Sequence, residues 1–493
     1  MSGDRKIVWW VALIPFLVLV VTLFFVIRFF GTDALGGASQ VALLFAAGVG
    51  VAIAMLVYKI PWKVLESSIV DNTRTIGVSL LILLLIGAIS GSWMVSGVVP
   101  TLIFYGMKII TPKLFLFAAC LICAVISLVT GSSWTTVATI GVALLGIGTA
   151  QGYSPGWIAG AIISGAYFGD KISPLSDTTV LASSASGTPL FDHIHYMLFT
   201  TVPSMAIATV IFLVASLTYP VAPASNAVLF SDALENSFNI SPWLLLIPVF
   251  TGFLVARKVP ALLTLFLSAL AAGVTALFAQ PDIIHDIATG FAGVPFEGLS
   301  FKEAFRGMFI MFSDSTAVPT GNGILDSLVE TFGMRGMLDT IFLILCASAF
   351  GGVLAGAGMI SSITGALVKR ISSRTGLVSS TVATGLASNM MTGDQYLSII
   401  LCCSLFKDLY SEQGYEGRLL SRSIEDSATV TSVLIPWNSC GMTQSTVLKV
   451  PTIEYLPYCF FNILSPLMSI FIAFIGFKIF RKGENRDQLC SEK

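Results

Sequence analysis

Apolar residues in this chain come in long unbroken stretches, not in the alternation of strands or the one-sided stripe of soluble helices. Residues 7–27 carry no charged side chain, and neither do 41–58, 76–107, 114–169, 196–231, 236–256, 340–368, 427–448 and 455–477. A helix crossing a bilayer takes about 20 such residues, so 114–169 predicts two or three spans and the whole chain about 10–13. Ten-residue segments of alternating polarity are lacking, which excludes an outer-membrane barrel and predicts an all-α polytopic membrane protein. Arg5-Lys6 ahead of 7–27 resembles a secretory signal. That apolar run, however, exceeds the roughly 7–15 residues of a signal core, and no small-residue cleavage site follows, so it reads as the first transmembrane helix.

Composition narrows the function classes. Of 493 residues, 55 % are apolar and 11 % charged, with a mean hydropathy of +0.89. Soluble domains are roughly 45–50 % apolar and about 25 % charged. The 26 Lys and Arg and 27 Asp and Glu cannot solvate a soluble globule of this size, and a net charge of −1 lacks the basic footprint of a nucleic-acid binder. Where those charges fall predicts orientation. Arg5, Lys6, Lys59, Lys63 and Arg74 share one side of a two-helix hairpin whose other loop holds only Asp33. The N-terminus is therefore expected inside, as is the tail with Lys478, Arg481, Lys482 and Arg486.

Cysteine and histidine carry little. Cys120-x-x-Cys123 has no second pair or nearby His to complete a zinc site, and cysteines within apolar runs act as small hydrophobes. His193 and His195 would point roughly 200° apart on a helix, poorly placed to share a metal. No catalytic His/Cys or metal constellation stands out, so neither an enzyme nor a cofactor is expected.

A repeat is more informative. Gly91, Gly97 and Lys108 recur at Gly352, Gly358 and Lys369, and Thr130-Gly131 recurs as Thr392-Gly393, one residue out of that register. The chain accordingly divides into an N-terminal transmembrane hairpin with an amphipathic loop (1–75), a first transmembrane repeat (76–220), connecting helices with a polar segment (221–337), a second repeat (338–480) and a cytoplasmic tail (481–493). Each repeat holds a second polar interruption, Asp170–Thr179 in the first and Ser421–Thr429 followed by Pro436–Gly441 in the second.

At these interruptions Gly or Pro breaks an apolar helix and frees backbone groups at membrane depth, which is tolerated only inside protein or beside a wet cavity. Thr130, Gly131, Ser132, Ser133, Thr135, Asp170, Ser176, Asp177 and Thr178 gather in the first half. Thr392, Gly393, Asp394, Asp426, Ser427, Thr429 and Asn438 gather in the second. Charged side chains inside a membrane are costly, and paired broken helices in two halves mark a transporter site. One carboxylate beside several neutral oxygens suits a monovalent hard cation. Na⁺ at Asp177 and/or Asp426, competing there with H⁺, would give exchange. Aspartates that merely cap helices are the structural alternative.

Three further features stay open. Lys171 is either an internal partner for a carboxylate or a snorkelling interfacial lysine. Glu425, roughly 100° from Asp426 on a helix, is expected to face Arg422 or solvent. The stretch Phe312–Gly323 is either another interrupted helix or a loop between the halves.

Gly131-Ser-Ser-Trp134, Gly160–Thr178 with its Gly-Asp-Lys-Ile-Ser-Pro-Leu-Ser-Asp core, Thr392-Gly-Asp-Gln-Tyr-Leu-Ser398, Ile435-Pro-Trp-Asn438 and Glu454–Tyr458 together resemble the NhaC-type Na⁺/H⁺ antiporter family. The resemblance covers roughly residues 76–480. It implies inverted repeats with re-entrant hairpins, alternating access and a bacterial cytoplasmic membrane. Na⁺/H⁺ antiporters, malate/lactate antiporters and amino-acid carriers belong to that family. A carrier of a small carboxylate or amino acid is therefore the alternative to an ion-only antiporter, and a homodimer stays open.

Overall fold

The computed structural model describes residues 7–30, 37–220, 224–257, 259–368 and 373–481. Arg5, Lys6, Asp33, Lys369, Lys482 and Arg486, used above for orientation and for the repeat, lie outside them. The described residues are helical almost throughout, and β-pairing is confined to two isolated bridges.

α1 (Ile14–Phe30) and α2 (Ala38–Ala52) lead into the amphipathic α3 (Trp62–Thr75). The first half then runs through α4 (Gly77–Val95), α5 (Val98–Ile109), α6 (Phe115–Thr130), α7 (Ser133–Ala150), α8 (Pro155–Ile172), α9 (Asp177–Ser186) and α10 (Leu190–Thr218). α11 (Leu246–Ala256), α12 (Ala261–Ala279) and α13 (Phe301–Ser313) connect it to the second half. That half comprises α14 (Leu338–Gly356), α15 (Met359–Val368), α16 (Arg374–Thr392), α17 (Gln395–Glu412), α18 (Gly417–Ile424), α19 (Ser439–Leu448) and α20 (Phe460–Ile475).

Among the described residues, eight helices are long and apolar enough to cross a membrane, or ten if two bent pairs each count as one span. The pairs are Val228–Ser237 with Pro242–Ala256, bent by 91°, and Thr452–Tyr458 with Phe460–Ile475, bent by 56°. The upper count meets the lower end of the sequence expectation. α8 and α16 span 18 and 19 residues yet are rich in Gly, Ser or Thr. They sit among other helices, where lipid does not demand an apolar surface. The outer helices instead turn Phe24, Phe45, Leu81 and Phe266 outward, as contact with lipid requires.

The repeated motifs fold alike. α4 and α14 are both 19 residues long, and each ends two residues before a glycine of positive φ, Gly97 (83°) or Gly358 (71°). α6 and α16 both stop at a Thr whose following glycine takes the left-handed conformation, Gly131 at 66° and Gly393 at 65°. A side chain at either glycine would strain the turn.

The leading segments pack crosswise. α2 and α3 precede α4 in sequence but lie against α14, whereas α12 and α13 precede α14 and lie against α4. Glycine permits both approaches. A Cβ on Gly91 of α4 would stand 2.0 Å from the Met311 carbonyl oxygen of α13, and one on Gly352 of α14 would stand 2.6 Å from Ile69 Cα of α3. Asn72 Nδ2 donates to the Ser348 carbonyl (2.6 Å), and Trp93 Nε1 donates to Ser268 Oγ (3.1 Å), pinning each crossing. The cysteine pair has a packing role of the same kind. Cys120 and Cys123 are buried free thiols on α6, at the backbone that Gly165 and Gly169 of α8 approach.

Gly91→Ala and Gly352→Ala should each lower stability by about 1–3 kcal/mol through overpacking. Gly48→Ala, with nothing within 4 Å of its Cβ, should be neutral or gain up to about 1 kcal/mol. Unfolding midpoints of the detergent-purified variants check both.

Candidate cation site

The first-half site is assembled from three chain breaks. After Gly131 the chain extends through Ser132, whose hydroxyl caps α7 by accepting from Thr135 N (3.2 Å). The turn is held tightly, since a Cβ on Gly131 would lie 2.7 Å from the Leu175 backbone. Asp170, one turn from the end of α8, reaches the same helix start: its Oδ2 accepts from Ser133 N (3.0 Å) and Ser133 Oγ (2.6 Å). A carboxylate at a helix N-terminus is favoured by the exposed amides and the helix dipole. Pro174 then ends α8, and Ser176 caps α9, so that Asp177 becomes its first residue.

These breaks enclose a cavity of about 290 Å³. Thr130, Gly131, Ser132, Asp170, Ser176, Asp177 and Thr178 line it, joined by Trp134 and Thr135 of α7, Ser79 of α4, Thr264 of α12, and Gln395 and Tyr396 at the start of α17. Asp170 is buried and already hydrogen-bonded, whereas Asp177 is exposed toward the cavity. Among the described residues no Lys or Arg lines this space; Lys258, between the lining residues Val255 and Val259 in sequence, lies outside them. Ser133 stands behind the cavity, on Asp170.

The second-half residues form a different construction. Asp394 caps α17, accepting from Leu397 N (2.9 Å) and from Ser439 Oγ (3.3 Å). Ser439 N donates to the Gly393 carbonyl (2.8 Å), and Asn438 caps α19 while donating to the Asn389 carbonyl (3.2 Å). Thr392, Gly393, Asp394 and Asn438 thus knit two helix starts together, and none of them lines the cavity. The capping alternative describes Asp394.

Asp426 sits apart again, in a π-helical turn (Glu425–Thr429) that continues α18. Its Oδ1 pairs with Lys171 of α8 and also accepts from Ser465 Oγ (2.9 Å) and Thr200 Oγ1 (3.1 Å), all fully buried. Lys171 is therefore the internal partner and not an interfacial lysine. Ser427 turns back onto the Ser423 carbonyl (2.7 Å), and Thr429 is buried nearby.

Glu425 departs from expectation. It is fully buried and forms no ion pair with Arg422. Arg422 is itself fully buried, with its guanidinium 4.6 Å from the Tyr196 ring centroid. The wider π turn shifts the register on which the 100° argument depended. His193 is buried and His195 exposed. The 312–323 stretch takes the loop alternative: Asp314 pairs with Arg335 at the surface (3.1 Å), and Asp326 accepts from Thr320.

Thr200 and Ser465, the hydroxyls beside Asp426, were not picked out from sequence. Lone hydroxyls in apolar helices commonly bond their own backbone and give no pattern. Gln395 and Tyr396 did carry a signal, directly after the second Thr-Gly turn.

Helices broken at capped turns around a carboxylate-lined cavity, in a multi-pass membrane bundle with two related halves, define a secondary-transporter architecture. Comparison with known proteins narrows this further. The profile of the Na⁺/H⁺ antiporter family matches residues 5–185 and 165–477, and the chain belongs to that family. It is 37 % identical to the Na⁺/H⁺ antiporter NhaC of Alkalihalophilus pseudofirmus, over 88 % of this chain and 89 % of the relative. The malate-2H⁺/Na⁺-lactate antiporter of Bacillus subtilis is 34 % identical over 84 % of this chain and 85 % of its own length. The arginine/ornithine antiporter ArcD of Halobacterium salinarum is 34 % identical over 92 % and 90 %.

Lys171→Met or Asp426→Asn alone leaves a buried charge without its partner and should cost about 3–5 kcal/mol. The double variant K171M/D426N should recover most of that loss, measured as unfolding midpoints in detergent.

Proposed function

We propose that the protein is a Na⁺/H⁺ antiporter that works by alternating access, with Na⁺ and H⁺ competing for Asp177 in the first-half cavity. One observation carries this reading: Asp177 faces the cavity with no cationic side chain along the lining among the described residues, and hydroxyls of Ser132, Thr135 and Thr178 stand around the same space. A carboxylate with neutral oxygens suits Na⁺, and the same carboxylate takes up a proton when the cation leaves. Asp426, the other aspartate considered for Na⁺, already has Lys171 as its counter-charge. The reading agrees with the activity named for the NhaC relatives. It also puts the protein in the bacterial cytoplasmic membrane with both termini inside, as the Lys and Arg distribution supports.

A second reading, exchange of a small organic solute, is favoured by the cavity volume of about 290 Å³, which exceeds the needs of a bare cation. With Asp170 and Asp177 in the lining and no Lys or Arg there among the described residues, a cationic amino acid such as the relative from Halobacterium exchanges fits better than a dicarboxylate.

Proteoliposomes loaded with a pH dye separate the readings. Addition of Na⁺ or Li⁺ alone should change the internal pH, and Asp177→Asn should reduce that response to the level of empty liposomes. A response that requires arginine, ornithine, malate or lactate would instead establish the second reading.

A further inference from the structure

The end of α8 carries opposite charges on consecutive residues. On a helix these point roughly 100° apart. Asp170 accordingly lines the cavity, while Lys171 enters the second half and meets the π turn. Its ammonium contacts Asp426 Oδ1 and Ser465 Oγ (3.0 Å), and that Oδ1 also accepts from Thr200 Oγ1. Lys171, Thr200, Asp426 and Ser465 are all fully buried. Asn462, Ser465 and Ser469 follow at i, i+3 and i+7 on one face of α20, and Asn462 Oδ1, Ser469 Oγ and Asp426 Oδ2 have no hydrogen-bond partner among the described residues.

A carboxylate oxygen that gathers the hydroxyls of Ser465 and Thr200 offers donors of the kind a small hard cation takes. The cation seated among them belongs to the protein. A lysine ammonium supplies the same unit charge as Na⁺ on a stem fixed to α8, and the Lys171 carbonyl is held by Thr179 Oγ1 of α9 (2.9 Å), two residues from Asp177. Among the described residues the first-half cavity has no such ammonium in its lining.

We propose that Lys171 is a tethered counter-ion occupying a second cation site built around Asp426, so that each protein binds one Na⁺, at the Asp177 cavity, and not two. The proposal rests on the reading of that cavity as the Na⁺ site. It makes Lys171 the residue that sets how many cations the fold accepts, and it predicts that shortening this side chain uncovers a latent Na⁺ site.

The test is radioactive Na⁺ binding to the purified full-length chain, with thermal unfolding compared in choline and sodium chloride. Wild type should bind one Na⁺, Asp177→Asn none and Lys171→Ala two. K171A/D177N should retain one, lost again in K171A/D177N/D426N, and sodium over choline should raise the unfolding midpoint of K171A/D177N but not that of D177N. K171A protein stable in sodium but not in choline supports the proposal equally. A K171A/D177N protein that binds no Na⁺ overturns it. So does a K171A chain that fails to fold in either salt while K171A/D426N folds, because Asp426 then recruits no cation. Na⁺ binding that survives D177N with Lys171 intact would fault the cavity reading, which this comparison keeps separate.

Discussion

Backbone amides and carbonyls cannot be left unpaired at membrane depth, and the architecture of this protein follows from how its helix breaks meet that constraint. Each break is a repeated device, a left-handed glycine that ends one helix or a proline that terminates it, followed by a Ser, Asp or Asn that caps the next. Ser132, Ser176, Asp394 and Asn438 all accept from an amide two or three residues ahead. Side chains needed to satisfy the backbone are thereby held at the centre of the bundle. The first-half cavity is bounded by these caps and by the carboxylates drawn toward them.

The two halves use the device unequally. In the first, a neutral Ser132 caps the helix, and Asp170 arrives from a neighbouring helix to meet Ser133. In the second, the cap is itself the carboxylate, and Asp394 is consumed by Leu397 N and Ser439 Oγ. Asp426 is neutralised by Lys171, a residue contributed by the first half. A buried ion pair of this kind adds little net stability but strongly penalises loss of either member. Of the four aspartates at the helix breaks, only Asp177 faces the cavity without a hydrogen-bonded or ionic partner among the described residues, and in this the two halves differ.

The halves are also interlocked. The glycine faces of α4 and α14 are each covered by helices that precede the opposite half, so each half's central helix packs on helices from the other side of the sequence. Packing thus couples α4 to α12 and α13, and α14 to α2 and α3. That coupling is carried by close backbone approaches, where interiors resist deformation.

Much of this was legible along the chain, because its causes are local or additive. Runs without charge identify membrane helices, since burial in hydrocarbon acts on each residue separately. Thr130-Gly131 and Thr392-Gly393 show their turns because a left-handed residue favours glycine wherever it occurs. Eight of the site residues chosen at the helix breaks, from Thr130 to Thr178, line one cavity. Tertiary structure alone decided the rest. The partner of Lys171 is 255 positions away, Thr200 and Ser465 are ordinary hydroxyls until Asp426 is placed between them, and the crossing of α3 onto α14 leaves no periodic trace. Which aspartate is free and which is compensated is a property of pairs, and distance in the folded protein sets it. The sequence determines the membrane fold and the places where helices break; packing determines which of the carboxylates left there are paired and which face the cavity.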